Sequence, residues 1–202
     1  MSREYTKALV RHETQALTRE LKTLGTILGG FVAVMWILEI VDIVLGGALN
    51  SYGVRPHQLI GLRGIVFAPF LHGDLGHLIA NTIPFLILGW FVMLQETRDF
   101  FVVTGITMLV SGLGTWLVGS TNSVHIGASG IIFGYLGFLL LRGYFERNFP
   151  SILLSLIVGF LYGGTIWGVL PIQYGVSWQM HLFGFIGGVI AARLLARRKK
   201  LS

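Results

Sequence analysis

Gly127-Ala128-Ser129-Gly130-Ile131-Ile132-Phe133-Gly134-Tyr135-Leu136-Gly137-Phe138 opens with a serine among small residues and continues as an apolar run. A second apolar run, near 178–196, carries a single histidine, His181, at its head. Ordinary helix packing has no need of such a pair. A serine hydroxyl is a weak nucleophile until a base lies within hydrogen-bond reach. Imidazole is the side chain that serves near neutral pH without a large pKa shift. If the two residues meet, the pair describes a hydrolase that works inside a membrane.

Composition sets that membrane context. The chain has 202 residues, of which 53% are hydrophobic and 12% charged, against roughly 25% charged for a soluble domain. Mean hydropathy is +0.74. Apolar runs of about 20 residues recur, each enough to cross a bilayer core of ~30 Å. The expected class is an all-α polytopic membrane protein with one bundle. Glycine contributes 28 residues, which suits close backbone packing between membrane helices. No cysteine is present, so disulfides and thiolate metal sites are excluded. The first 23 residues are polar and lack the short apolar core of a signal peptide. The first long apolar run therefore reads as a span.

Six spans are expected, near 24–46, 77–95, 100–119, 126–142, 151–170 and 178–196. Residues 1–23 form a polar segment before them, and 197–202 a basic tail. The long connection 47–76 holds the semi-apolar run Leu59 to Leu71, which suits the membrane interface. Of the 15 Lys and Arg residues, 13 fall on one side of this arrangement, in the two tails and near 98, 142 and 147; only Arg55 and Arg63 fall on the other. That bias places both termini in the cytoplasm. The net charge of +6 is thus a topology signal. Arg197-Arg198-Lys199-Lys200 reads as an anchor on anionic lipid, not a nucleic-acid site. Tyr174 and Trp178 suit an interfacial aromatic belt.

Spans two, four and six then all start on the outer side. His77 and Asn81 begin span two, Ser129 lies near the start of span four, and His181 near that of span six. At ~1.5 Å per residue, the four side chains share a depth of about 5–10 Å below their helix starts. Spans three to six hold no Asp or Glu in their interiors, so a Ser129–His181 dyad is the economical reading. His77 and Asn81, four apart, share a helix face and can donate hydrogen bonds to an oxyanion, as can the Ser129 backbone N–H. Gly130 with Gly134, and Gly184 with Gly188, form two small-residue faces able to bring spans four and six together.

Each residue alone has a plainer reading. A serine among small residues usually serves helix packing, and a lone intramembrane histidine can be a satisfied bundle residue. Their shared depth is what lifts them together above those readings. Glu39 and Asp42 are expected to face water or the loop 47–76. His125 reads as a loop residue at the outer surface. His72 and His77 lack a carboxylate to complete a metal set, and no cofactor is expected. A transporter would need a polar path across the whole membrane, whereas here the polar groups sit in the outer half.

Gly127-Ala128-Ser129-Gly130, His181, the pair His77/Asn81 and the approach Phe70-Leu71-His72-Gly73-Asp74-Leu75-Gly76-His77 together resemble the rhomboid intramembrane serine proteases. The resemblance spans nearly the whole chain. It implies a six-helix rhomboid-like bundle that cleaves transmembrane protein substrates near the outer face. The lack of large soluble domains suits a minimal prokaryotic enzyme in the plasma membrane. The resemblance also implies Ser129 as nucleophile, His181 as general base, and His77, Asn81 and the Ser129 amide around the oxyanion, with Gly127, Gly130, Phe133 and Gly184 in support. A gate between spans two and five also follows from the resemblance. Two positions depart from it. Leu62-Arg63 stands where many members have Trp-Arg, and Phe133 where many have a Tyr packed on the histidine. A non-catalytic relative that binds membrane clients is the alternative.

Overall fold

The computed structural model describes residues 3–94, 96–172 and 175–199. Tyr174 and Lys200 lie outside the described residues, as do the side chains of Arg197, Arg198 and Lys199. Among the described residues seven α-helices are present, α1 (Arg3–Val44), α2 (Gly64–Phe67), α3 (Leu75–Met93), α4 (Thr97–Val118), α5 (Ser129–Glu146), α6 (Phe149–Tyr162) and α7 (Trp178–Lys199). Short 3-10 turns occupy Ala48–Tyr52, Leu59–Arg63, Ala68–Phe70 and Gly163–Val169. Among the described residues no strand forms beyond one isolated bridge between Val54 and His125.

The polar residues from Arg3 onward run into the first span without interruption. One continuous helix covers both, because nothing near residue 23 interrupts α-helical geometry. The helix ends only where Gly46 and Gly47 take left-handed backbone, φ 65° and 84°, a conformation that favours glycine. Asp42 also accepts from the Leu49 N–H at 2.6 Å, tying α1 to the connection that follows. That connection is not an open loop. It is a chain of short helical turns presenting Leu59, Ile60, Val66 and Phe67 to the outside. Arg63 pins it from within, donating to the Ser51 carbonyl at 3.0 Å with its guanidinium 4.0 Å over the Tyr52 ring.

Among the described residues five helical segments are long and apolar enough to cross a membrane, namely Arg11–Val44, Leu75–Met93, Thr97–Val118, Phe149–Val169 and Trp178–Ala196. The chain is an integral membrane protein. The fourth expected span, now α5, is not among the five; Arg142 and Glu146 reduce its apolarity. It has no need to face lipid, since nearly every residue from Gly130 to Leu139 is buried. It packs against α3, α4, α6 and α7. Arg142, only 1% exposed, reaches Asp99 of α4 at 2.9 Å and Glu146 at 2.9 Å. In the sequence this arginine counts only as a charge flanking a connection; a boundary position alone does not tell a solvated charge from a buried one.

The fifth expected span is also two pieces. Regular helix stops at Tyr162 and the turn Gly163–Val169 follows, where the adjacent Gly163 and Gly164 weaken α-helix. Only Ser151 and Val158 of α6 are buried, and α6 packs chiefly on α5.

Candidate active site

Close contact between α5 and α7 is made of glycine. A Cβ on Gly184 would stand 2.1 Å from the Gly130 carbonyl oxygen, and one on Gly188 would stand 1.8 Å from that of Gly134. The opposite face of Gly134 meets Thr107 of α4 at 2.2 Å by the same measure, and that of Gly130 meets the Ser111 hydroxyl at 2.6 Å. Only hydrogen side chains fit these positions. Ser111 further donates to the Met180 carbonyl at 2.9 Å, holding the start of α7 against α4. The first turns of α5 and α7 are thereby fixed side by side.

Ser129 is the first residue of α5. Its backbone N–H belongs to a first helical turn, which has no intrahelical acceptor. Asp74 caps α3 by accepting the His77 N–H at 2.8 Å, a contact of a kind that contributes about 1 kcal/mol. Asn81, one turn later and buried, donates one amide hydrogen to the His77 carbonyl at 3.1 Å. The second hydrogen of that amide remains. Gly127 brings the α5 approach onto this pair. Its φ is +111°, and a Cβ there would lie 2.7 Å from the His77 ring and 3.5 Å from Asn81 Nδ2. Its N–H is held by the Ala68 carbonyl at 2.8 Å.

His181, in the first turn of α7, is 8% exposed. Its ring stacks on Phe133 at 4.1 Å between centroids with 9° between planes. The phenyl ring thus fills the place that the resemblance gives to tyrosine. Nδ1 of His181 lies 2.8 Å from the Gly168 carbonyl. A carbonyl only accepts, so Nδ1 carries the proton and Nε2 keeps its lone pair. Gly168 belongs to the turn after α6, and a Cβ on it would strike Phe133 at 2.7 Å.

Ser129, His181, His77 and Asn81 line one cavity of about 1180 Å³. Tyr162, Trp167, Ile172 and Trp178 contribute much of its apolar wall. The four polar residues expected at one depth therefore open onto one space.

Other polar residues depart from expectation. His125 is buried at 8% exposure and is not a surface residue. It bonds Ser123 and Ser177, and burial pushes its pKa below the usual histidine value. Glu39 is buried and does not face water; Asp42 is buried too but meets the connection 47–76, as expected, through the Leu49 N–H. His72 is wholly buried, edge-on to His77 at 5.1 Å. Burial, and then the neighbouring His77, hold its pKa down to about 4. Among the described residues no group of three or more His, Cys, Asp or Glu is placed to hold a metal ion. Sequence reading missed the Gly168 carbonyl altogether, since every residue has one. For His125 a faint signal existed in its spacing, four before Ser129.

Known proteins are similar in sequence to this chain. An uncharacterised protein of Mycobacterium tuberculosis is 45% identical over 180 residues, covering 85% of this chain and 75% of its own length. One of Mycobacterium leprae is 42% identical over 174 residues, covering 82% and 69%. RHOMBOID-like protein 4 of Arabidopsis thaliana is 31% identical over 139 residues, covering 64% and 33%. The Rhomboid domain family matches residues 56–198, so the chain belongs to the rhomboid family, whose members are typically intramembrane serine proteases.

Proposed function

We propose that this protein is an intramembrane serine endopeptidase that cleaves transmembrane protein substrates near the outer membrane face. Residues 24–196 would form the six-span catalytic unit, with α5 as the span shielded from lipid. Residues 1–23 and 197–202 would be cytoplasmic segments, the latter on anionic lipid. The observation that carries the reading is His181: its Nδ1–H is taken by the Gly168 carbonyl at 2.8 Å, which leaves Nε2 bare in the cavity it shares with Ser129.

The chemistry follows from those atoms. Nε2 takes the Ser129 hydroxyl proton as Oγ attacks the scissile carbonyl carbon. Negative charge develops on the carbonyl oxygen, where the Ser129 N–H, His77 and the remaining Asn81 amide hydrogen donate. Nε2–H then protonates the departing amine, the C–N bond breaks, and an acyl-enzyme remains on Ser129. A water deprotonated by Nε2 hydrolyses that ester and restores both residues. The Gly168 carbonyl does part of what a triad carboxylate does. It fixes the tautomer and orients the ring, but brings no full negative charge. Phe133 supplies the rest of the orientation by stacking.

The test is cleavage of a panel of tagged transmembrane helices in proteoliposomes. Ser129→Ala and His181→Ala should each abolish product while insertion and thermal midpoint hold. Normal cleavage by Ser129→Ala would overturn the reading. Retention of these helices without turnover by the wild type would favour the client-binding alternative.

A further inference from the structure

His125 is placed where no step of the proposed reaction uses it. Its Nδ1 lies 2.5 Å from the Ser177 hydroxyl and its Nε2 2.8 Å from the Ser123 hydroxyl. Its backbone is held on both sides by Val54, N–H to carbonyl and carbonyl to N–H, each at 2.9 Å. His125 thus hangs from the fixed connection before α2 and reaches across to the start of α7. Burial favours its neutral form, which has one N–H donor and one bare acceptor; a serine hydroxyl satisfies either.

The spacing gives this bridge its meaning. His125 precedes Ser129 by four residues, and Ser177 precedes His181 by four. Ser177 is bound to His181 through the helix itself, its carbonyl accepting the His181 N–H at 3.2 Å. Both members of the bridge line the cavity that holds Ser129 and His181. The glycine contacts between α5 and α7 fix the distance between the helices. Sliding of one helix along the other is restrained by Ser111 on the Met180 carbonyl, and a polar tie between the two lead-in segments adds a restraint at the residues that lead directly into Ser129 and His181.

We propose that His125 is a positioning residue, a clasp through Ser177 that sets the register of His181 against Ser129. This rests on the dyad reading above. A misplacement of about 1 Å can cost on the order of 100-fold in rate, so losing the clasp should be visible in the chemistry while the fold survives.

A fluorophosphonate probe tests it, with saturation kinetics separating probe affinity from the rate of bond formation at the serine. Ser177→Ala should slow bond formation at least ~10-fold with probe affinity and thermal midpoint nearly unchanged. Ser177→Thr, which keeps the hydroxyl, should restore it to within about threefold of wild type. Asparagine sets its amide where Nδ1 sits, and glutamine where Nε2 sits. His125→Asn should therefore outperform His125→Gln. Wild-type rates in Ser177→Ala, or equal losses in the Asn and Gln variants, would overturn the clasp. The dyad is judged separately on wild type against Ser129→Ala; a wild type that takes no label sinks the dyad and the clasp together.

Discussion

Gly168 shows how a single residue governs the proposed base. It must be small because Phe133 occupies the space a Cβ would take, and its carbonyl must stay near His181 Nδ1. Gly168→Ala should lower the cleavage rate by about tenfold or more, since the displaced turn carries its acceptor away from the ring. Measured turnover within twofold of wild type would sink that account. His72 gives a residue-scale prediction in pH. Its pKa is held near 4 in the folded protein, against about 6.5 unfolded, so the unfolded chain takes up the proton first as pH falls. Its contribution to stability is intact above pH ~6.5 and is lost progressively between that value and about 4. Chemical denaturation at pH 7 and pH 5 should show the loss, and His72→Leu should flatten the difference.

At the level of elements, the pairing of α5 with α7 decides the site. Gly188→Ala would drive a methyl into the Gly134 carbonyl at 1.8 Å. The backbone cannot yield there, so destabilisation of about 3 kcal/mol or more is expected. Gly105→Ala is the matched control, with nothing within 4 Å of its Cβ; α-helical alanine should add up to ~1 kcal/mol of stability. Thermal unfolding in detergent compares the two. This pairing was legible in the sequence, because Gly130/Gly134 and Gly184/Gly188 repeat at one helical face. The division of the fifth span was less so. Gly163 and Gly164 announced a weak place in a helix, yet where regular helix gives way depends on what the following turn can hold, here His181 and Phe133.

The whole bundle is tied at its other end by charge. Arg142 joins α5 to Asp99 of α4 and to Glu146, with its guanidinium 4.9 Å from the Phe138 ring. Asn148 and Ser151 at the start of α6 also reach Glu146, so one cluster gathers three helices. Arg142→Ala should cost about 3–5 kcal/mol, the loss expected when one partner leaves a buried ionic group. An unfolding midpoint close to wild type would refute it. The sequence concealed this cluster and His125 for a common reason. Polar residues at helix ends and in loops are solvated by default, and only the packing of distant segments reveals that water is excluded. Ser129, His181, His77 and Asn81 each also had a plainer reading, and their expected common depth is what singled them out in the sequence; the structure lines one cavity with all four.

The loose seating of α6 has a last consequence. The chain runs without a break from α6 into the turn that carries Gly168, and little of α6 is buried. Any swing of α6 that takes this turn along strips the imidazole of its acceptor. The ring is then free to rotate, and in the proposed reaction the serine would lose its proton acceptor at the same moment. On that reading, a bundle opened on this side is a weapon with the safety catch on, and it arms itself only by closing.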